Sequence, residues 1–167
     1  MLKDLDSRLL YAMRTRGHGP RTEAVAKGLG LIGEYGAVWV AIGVALAIAD
    51  GDRRGEWLAA GFLGPVAIGL NFAVKLAVRR ARPVLQDLPP LGGAPSSLSF
   101  PSAHATSSFA CATALTRVAP EAAVLFALAL AIAACRPYLG MHYPSDVLAG
   151  ALLGTALGFA LPLDLFD

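Results

Sequence analysis

The sequence predicts an all-α protein: a polytopic bundle of transmembrane helices preceded by a helix that lies on the membrane surface. Hydrophobic residues make up 56% of the 167 residues and charged residues only 16%, whereas an ordinary soluble domain carries about a quarter charged residues. Apolar stretches recur along the chain, each near the about 17–25 residues that a spanning helix needs. No linker rich in Ser and Pro divides the chain, so residues 1–167 are expected to form one integral membrane domain.

The first element is predicted over Leu2–Met13. Leu2, Leu5, Leu9 and Met13 recur there at helical spacing with charged residues between them. This pattern is typical of an amphipathic helix on a membrane surface; packing of the same face against the other helices is the alternative. No cleavable signal peptide is visible, because the segment before residue 21 lacks a continuous apolar core.

Five spans are predicted, in chain order Gly28–Ala49, Trp57–Val78, Pro101–Val118, Ala122–Leu139 and Val147–Leu163. Deeper insertion of Arg21–Tyr35 gives a sixth. A soluble helical bundle with a very apolar core is the alternative, because short apolar runs also form buried helices. Polar residues inside these stretches, such as Glu34, Asn71 and Lys75, are costly in lipid unless they face the bundle interior, which makes them candidate functional residues.

Residues with chemical potential cluster at three span ends, the first of which runs from Lys75 to Pro83. On a helix, Lys75, Arg79 and Arg82 share one face. Pro83 is expected to end the helix at Arg82, where the guanidinium can meet a phosphate. Taken alone, the cluster fits a positive membrane anchor as well.

The second cluster, from Ser99 to His104, has the pattern of a helix start, with Ser99 as cap and Pro101 in the first turn. Free backbone N–H groups at such a start attract anions. Ser102 adds a hydroxyl donor, and His104 adds a group suited to protonate a leaving oxygen. A capped or buried histidine is the structural alternative.

The third cluster, from Cys135 to Asp146, joins the last two spans. His142 and Asp146 are four residues apart around a helix start at Pro144. Asp146 can therefore accept a hydrogen bond from one imidazole nitrogen and leave the other as a nucleophile. Arg136 adds a cation. A helix-capping Asp beside an incidental His is the alternative.

Together the three clusters resemble the signature of the type 2 phosphatidic acid phosphatase superfamily, the lipid phosphate phosphatases. That signature reads Lys-x6-Arg-Pro, then Pro-Ser-Gly-His, then Ser-Arg-x5-His-x3-Asp. Two positions depart from it, because Ala103 stands where the family has Gly and Cys135 where it has Ser. Ala103 keeps its N–H for phosphate provided that its φ is negative, whereas Cys135 lacks the good hydroxyl donor.

The resemblance implies a lipid phosphatase that uses neither metal ion nor cofactor. It implies that His142 attacks phosphorus to form a phosphohistidine, that Asp146 orients His142 and that His104 protonates the departing oxygen. The implied phosphate-binding residues are Lys75, Arg82, Ser102, Ala103 and Arg136. The sequence itself offers no metal cage, because its carboxylates are scattered.

The family acts on phosphatidic acid, phosphatidylglycerol phosphate, polyprenyl diphosphates and polyprenylphosphoryl-pentose phosphates, and the motifs leave the choice open. Small size and an Ala/Arg/Gly-rich composition resemble short bacterial members that act on the last class. With five spans, 11 of the 14 Lys and Arg residues lie on the side of the three clusters. The positive-inside rule then predicts a multi-pass plasma (inner) membrane protein whose active site faces the cytoplasm.

The expected partners are the membrane and a lipid phosphate, and no nucleic acid. Transfer of phosphate to an acceptor other than water is one alternative. A vanadate-dependent haloperoxidase would share the constellation but is larger and soluble. A catalytically silent membrane protein that binds phospholipid headgroups is the alternative from another class.

Overall fold

The computed structural model describes residues 2–93 and 96–166. The α-helices in this part of the chain are α1 Leu2–Thr15, α2 Pro20–Ile32, α3 Ala37–Ala49, α4 Arg54–Val78, α5 Ala103–Val118, α6 Leu125–Tyr138 and α7 Pro144–Ala160. Short 3₁₀ turns follow α2, α5 and α7. No strand occurs among the described residues beyond an isolated bridge between Ala81 and Leu98. The predicted all-α class is confirmed.

Two helices are each long and apolar enough to cross a membrane, namely α4 and the continuous helical stretch Pro120–Tyr138. α2 and α3 reach that length only as a pair, and they are bent by 51° relative to one another. α7 is apolar but shorter, with 17 residues. The described residues thus provide two or three candidate spans by length and composition, and the number of five or six stays a prediction.

The first predicted span, Gly28–Ala49, is wrong as a single helix, because the chain turns sharply at Tyr35. Tyr35 has a φ of 54° and Gly36 one of 75°, and two successive left-handed residues end a right-handed helix. A side chain at Gly36 would meet the Gly64 and Pro65 backbone at 3.2 Å. The turn therefore lies directly against α4, and only glycine fits there.

α5 is the central helix of the bundle and packs against α4, α6 and α7. Its side chains are mostly small and buried. Gly150, Gly154 and Gly158 form a stripe along α7 that faces it, and a Cβ at Gly150 would lie 2.6 Å from the Ser102 carbonyl oxygen. Small residues at this spacing let two helix backbones approach closely within a membrane.

Several polar residues inside the predicted spans have structural roles. The Asn71 side-chain amide donates to the Thr106 hydroxyl at 2.9 Å, and the Trp39 indole donates to the Ser108 hydroxyl at 3.1 Å. These pairs satisfy buried polar groups between α3, α4 and α5, as an apolar environment requires. Lys75 and Glu34 instead line a cavity.

α1 packs one face against the bundle and leaves two of the leucines of its predicted apolar face exposed. Asp6, Leu10 and Arg14 are buried, whereas Leu5 and Leu9 are 54% and 46% exposed. The alternative prediction, that this face packs against the other helices, is therefore wrong for Leu5 and Leu9. The side chain of Leu2 lies outside the described residues. An exposed apolar face on an otherwise docked helix fits a helix that lies on a membrane.

Candidate active site

A cavity of about 470 Å³ opens where α2, α4, α5 and the turn between α6 and α7 meet. Six of the eight predicted site residues line it: Lys75, Arg82, Ala103, His104, Arg136 and His142. The other two, Ser102 and Asp146, are fully buried behind its wall. Residues from three sequence clusters thus meet at one place.

The segment after α4 differs from the predicted helix. α4 ends at Val78 because Arg79 adopts a left-handed φ of 54° as its C-cap, so Lys75, Arg79 and Arg82 do not share a helix face. The chain continues extended and pairs with the segment before α5, since the Ser99 N–H donates to the Arg80 carbonyl at 2.8 Å. Alternate residues of an extended segment point to the same side, which places Arg80 and Arg82 together.

Arg82 holds His142 in a defined orientation. Its Nη1 lies 3.2 Å from the His142 Nε2 and donates to the Met141 carbonyl at 2.7 Å. Because a guanidinium can only donate, Nε2 accepts and the ring hydrogen is assigned to Nδ1. Nδ1 faces the Asp146 carboxylate at 3.7 Å and has no hydrogen-bond partner. The lone pair of Nε2 therefore points to the cation that would bind a phosphate.

The protonation state of His142 suits a nucleophile. The residue lies in the turn between α6 and α7 and is 2% exposed. Burial lowers its pKa to about 4, and the nearby Asp146 opposes this shift while the surrounding cations reinforce it. His142 is thus neutral at pH 7, so Nε2 keeps its lone pair, and attack requires that Arg82 move its hydrogen bond from Nε2 to the phosphate.

Asp146 is fixed from two sides in the first turn of α7. Arg80 donates to its Oδ1 at 2.7 Å, and the Tyr143 backbone N–H donates to its Oδ2 at 2.9 Å. The carboxylate is completely buried. A buried carboxylate with charge-assisted hydrogen bonds is held rigidly, and here it stands behind the nucleophile.

The start of α5 places His104 at the cavity. The cap is Ser102, whose Oγ accepts from the Ala105 N–H at 3.5 Å; the prediction of Ser99 as cap is wrong, because the Ser99 hydroxyl donates to the Ala81 carbonyl at 3.0 Å. Ala103 is the first helical residue, and helical residues have negative φ, so the alanine meets the condition for replacing glycine. The His104 Nε2 donates to the Gly30 carbonyl of α2 at 3.0 Å.

Two buried cations at the cavity, Lys75 and Arg136, differ in the hydrogen-bond acceptors around them. The Lys75 Nζ donates to three carbonyls of the segment before α5, including that of Pro101 at 2.8 Å. Arg136 is 6% exposed. Within the described part of the chain its side-chain partners are the Met141 sulfur at 3.1 Å and the Cys135 thiol, and its Nε has no partner. A buried cation with such weak partners favours an anionic ligand. The cavity therefore has the electrostatics of an anion site.

Other residues at the site were missed by sequence reasoning. Lys27 lines the cavity from α2, and Arg80 was counted only as a topological charge; Glu34, a candidate from its place in an apolar stretch, also lines the cavity. The sequence feature that points to Arg80 is its spacing of two residues from Arg82. This spacing places both side chains on one side only if the segment is extended. Among the described residues, no group of three or more His, Cys, Asp and Glu side chains is placed to hold a metal ion, and metal independence stays a prediction.

A family model described as the PAP2 superfamily matches residues 56–167, which include every predicted catalytic residue. The chain belongs to the PAP2 superfamily. The resemblance stated from the three motifs is confirmed.

Relatives of this PAP2 protein include the decaprenylphosphoryl-5-phosphoribose phosphatase of Mycobacterium tuberculosis, 41% identical over 139 residues, which cover 83% of this chain and 78% of the relative. The crystal structure of Aquifex aeolicus LpxE matches with a TM-score of 0.76 at 27% identity over 93% of both chains. That of a PAP2-type phosphatidylglycerolphosphate phosphatase from Bacillus subtilis matches with a TM-score of 0.72 at 26% identity, over 99% of this chain and 86% of the other.

These similarities establish the class of the protein. It is a membrane protein of the PAP2 phosphatases and a phosphoric monoester hydrolase that acts on lipid substrates. The arrangement of the site agrees with that class, because a neutral imidazole, a buried carboxylate and several cations surround one cavity.

Proposed function

We propose that this PAP2 phosphatase hydrolyses the terminal phosphomonoester of a polyprenylphosphoryl-pentose phosphate through a covalent phosphate on His142. One observation carries the mechanism: the His142 Nε2 faces Arg82 at 3.2 Å while its Nδ1 faces the buried Asp146. This is the arrangement of a nucleophile that is oriented from behind and meets its substrate in front.

In the first step, the His142 Nε2 lone pair attacks phosphorus and the bond from phosphorus to the pentose oxygen breaks. His104, protonated once the phosphate dianion is bound, keeps its Nε2–H on the Gly30 carbonyl and donates its Nδ1 proton to that departing oxygen. Arg82 and Arg136 bind the phosphoryl oxygens, and Asp146 stabilises the positive charge that develops on His142. Lys75 acts through its charge and by shaping the segment before α5.

In the second step, His104 takes a proton from water, and the water oxygen attacks phosphorus. The bond between phosphorus and Nε2 breaks and inorganic phosphate leaves. His142 returns to its neutral form, and the lipid-linked pentose has already left with a free hydroxyl. Ser102 and Ala103 support this step by fixing the first turn of α5 beside the phosphate.

The substrate class is supported first by the relatives, since the Mycobacterium tuberculosis protein shares 41% identity over most of both chains. Apolar residues line the cavity beside the catalytic residues, among them Leu31, Ile68 and Phe72, and they suit a polyprenyl chain that approaches from the membrane. A lipid tail gains about 0.8 kcal/mol for each CH₂ group removed from water.

Glu34 supports a sugar as the leaving group. It lines the cavity next to Gly33, where a Cβ would lie 3.1 Å from the His104 ring. A carboxylate on this wall repels the second phosphate of a polyprenyl diphosphate, whereas it accepts hydrogen bonds from pentose hydroxyls. We therefore favour the pentose phosphate over the diphosphate.

The test is phosphate release by detergent-purified protein in the presence of a chelator, with His142→Ala as the inactive control. Four lipids are compared: polyprenylphosphoryl-pentose phosphate, polyprenyl diphosphate, phosphatidic acid and phosphatidylglycerol phosphate. We expect the highest kcat/KM for the first. Equal or higher kcat/KM for another lipid would refute the substrate assignment and leave the mechanism standing.

The Glu34→Gln variant tests the leaving-group argument separately. It should lower kcat/KM for the pentose phosphate about 10-fold, the loss of one hydrogen bond to a charged acceptor, and raise it for the polyprenyl diphosphate. An equal change for both lipids would contradict a role of Glu34 in selecting the leaving group.

The second candidate function is headgroup binding without catalysis, which the cation-lined cavity also supports. Binding of all four lipids without phosphate release by the folded protein would favour it.

We also propose that the site faces the cytoplasm across the plasma membrane. Reporter fusions at both termini test this orientation. Five spans with a cytoplasmic site place the N-terminus inside and the C-terminus outside, so an outer N-terminus or a cytoplasmic C-terminus would contradict it.

A further inference from the structure

Arg80 and Arg82 each contact one member of the catalytic pair His142 and Asp146. Both lie on the same side of the extended segment after α4, because they are two residues apart. Arg82 contacts His142 at 3.2 Å, and Arg80 contacts Asp146 at 2.7 Å. The left-handed Arg79 that ends α4 creates this division, since a continued helix would turn the two guanidinium groups about 200° apart.

Arg80 forms a hub that determines where the Asp146 carboxylate lies. Its Nη1 donates to Asp146 and to the Ser145 hydroxyl, each at 2.7 Å, and its Nη2 donates to Asp6 at 2.7 Å. The guanidinium also stacks over the Tyr143 ring, 4.1 Å from the ring centroid. A planar fork can serve several acceptors at once, which a lysine ammonium does less well.

Asp6 connects this hub to α1. Its Oδ1 accepts from the Ser145 N–H at 3.0 Å, and its Oδ2 accepts from Arg80 and from the Ser145 hydroxyl. Burial alone would raise the pKa of Asp6, but the bonds from Ser145 and Arg80 lower it below its ordinary value. Asp6 is thus an ionised anchor on the inward face of a helix whose opposite face carries the exposed Leu5 and Leu9.

A second contact fixes the other end of α1. Arg14 is buried and donates to the Pro89 carbonyl at 2.8 Å and to the Tyr138 carbonyl at 3.3 Å. It touches the turn beside the site, where a Cβ at Gly140 would lie 2.9 Å from its Nε. Polar contacts of Asp6 and Arg14 with the active-site loops therefore hold the helix at both ends.

We propose that Arg80 is a positioning residue that fixes the Asp146 carboxylate behind His142, and that Asp6 on α1 holds Arg80 in place. The inference rests on the proposed phosphoryl transfer through His142. It gives α1 a second role, because the helix on the membrane surface becomes part of the support of the active site. Neither Arg80 nor Asp6 touches the substrate in this scheme.

The test is a double-mutant cycle of Arg80→Gln and Asp6→Asn, with Arg79→Gln as the matched control. Arg79 is the exposed neighbour of Arg80, and its Nε donates to the carbonyl of Leu76 on its own helix. Arg80→Gln should lower kcat about 10- to 100-fold, the range found for residues that orient the ligands of catalytic metals, with KM unchanged. Asp6→Asn should lower kcat less. The double variant should lose no more than Arg80→Gln alone, because Asp6 acts through Arg80.

Orthovanadate, a mimic of the transferred phosphoryl group, gives a second readout that does not depend on the lipid. Its affinity, measured by calorimetric titration, should fall in the same order across the same variants. Should the parent release no phosphate from any lipid, the proposed function fails and the vanadate series still decides this inference. Arg80→Lys, which keeps the charge, should recover part of the loss and serves if Arg80→Gln does not fold.

Three results would overturn the inference. The first is a double variant whose loss is the product of the two single losses. The second is an Arg80→Gln enzyme with the kcat and vanadate affinity of Arg79→Gln. The third is a parent that does not bind vanadate.

Discussion

Replacing Asp146 by Asn tests how much the buried carboxylate contributes to attack by His142. The substitution keeps the size of the side chain and an oxygen that can accept from the Tyr143 N–H, but it removes the negative charge. As phosphorus bonds to Nε2, the imidazole ring becomes positive, and the lost charge stood 3.7 Å from its Nδ1. The variant therefore removes the charge together with the hydrogen bond from Arg80, because the new amide nitrogen cannot accept it.

The magnitude follows from the distance. A full positive charge on the ring 3.7 Å from the carboxylate is stabilised by about 4.5 kcal/mol at an effective dielectric constant of about 20. With about half the charge developed in the transition state, the loss is about 2 kcal/mol, or about 40-fold in rate; full development corresponds to about 2000-fold. Asp146→Asn should lower kcat within this range.

The assay is single-turnover phosphate release at saturating substrate, combined with thermal unfolding of each protein in the same detergent. Asp50→Asn is the matched control. Asp50 also accepts hydrogen bonds from an arginine, Arg53, and from a second donor, the Trp57 indole, but it is not among the residues that line the cavity. A kcat within about twofold of the parent for folded Asp146→Asn would refute the electrostatic role.

Three further predictions concern charge, proton and packing. Arg136→Met removes a buried cation with an unpaired Nε, so kcat/KM should fall about 100-fold while the thermal midpoint stays equal or rises; a lower midpoint with unchanged kcat/KM would contradict the anion-site reading. Because the pKa of His142 is about 4, its protonation should reduce kcat/KM only below about pH 5, not near the pKa of 6.5 of a free histidine. The pH profile is first corrected for ionisation of the substrate. A loss of kcat/KM near pH 6.5 that belongs to the enzyme would exclude a neutral buried nucleophile. Gly154→Ala places a methyl against the Thr106 carbonyl and should lower the free energy of unfolding by about 1–3 kcal/mol. A Cβ at Gly69 meets nothing within 4 Å, so Gly69→Ala should stabilise α4 slightly. Equal thermal midpoints of these two variants would argue against close packing of α5 and α7.

The convergence of Lys75, His104 and His142 could be predicted because all three lie where helices emerge on the same side of the bundle. Residues at such ends are neighbours whatever the sequence distance between them. Helix period and apolar length also gave the bounds of α4, which begins three residues before the predicted Trp57 and ends at the predicted Val78. These features depend on local chemistry that a single sequence carries.

The missed features depend on single backbone angles and on contacts between distant residues. Arg79 has no sequence property that requires a left-handed φ, yet that angle of 54° ends α4 and brings Arg80 to Asp146. Tyr35 likewise divides a continuous apolar stretch into α2 and α3. The charge on Asp6 gives no indication that its partner lies 74 residues away, since a carboxylate on an amphipathic helix is expected to face water.

Ser102 has a structural role in addition to the phosphate contact predicted for it. Its hydroxyl was expected to donate to phosphate, but it is fully buried and accepts the Ala105 N–H as the cap of α5. The N–H groups of the first turn remain as donors, among them that of Ala103 at the cavity. The motif marks a helix start, and the direct hydroxyl contact stays a prediction.

The phosphate bound covalently to His142 can be detected directly. Protein mixed briefly with substrate labelled in the terminal phosphate is denatured in alkali, digested and mapped by mass spectrometry. We expect one phosphoryl group on the peptide that contains His142, stable in alkali, lost in acid and absent from His142→Ala. Phosphate release with no labelled peptide at any quench time, or a label on another residue, would contradict it.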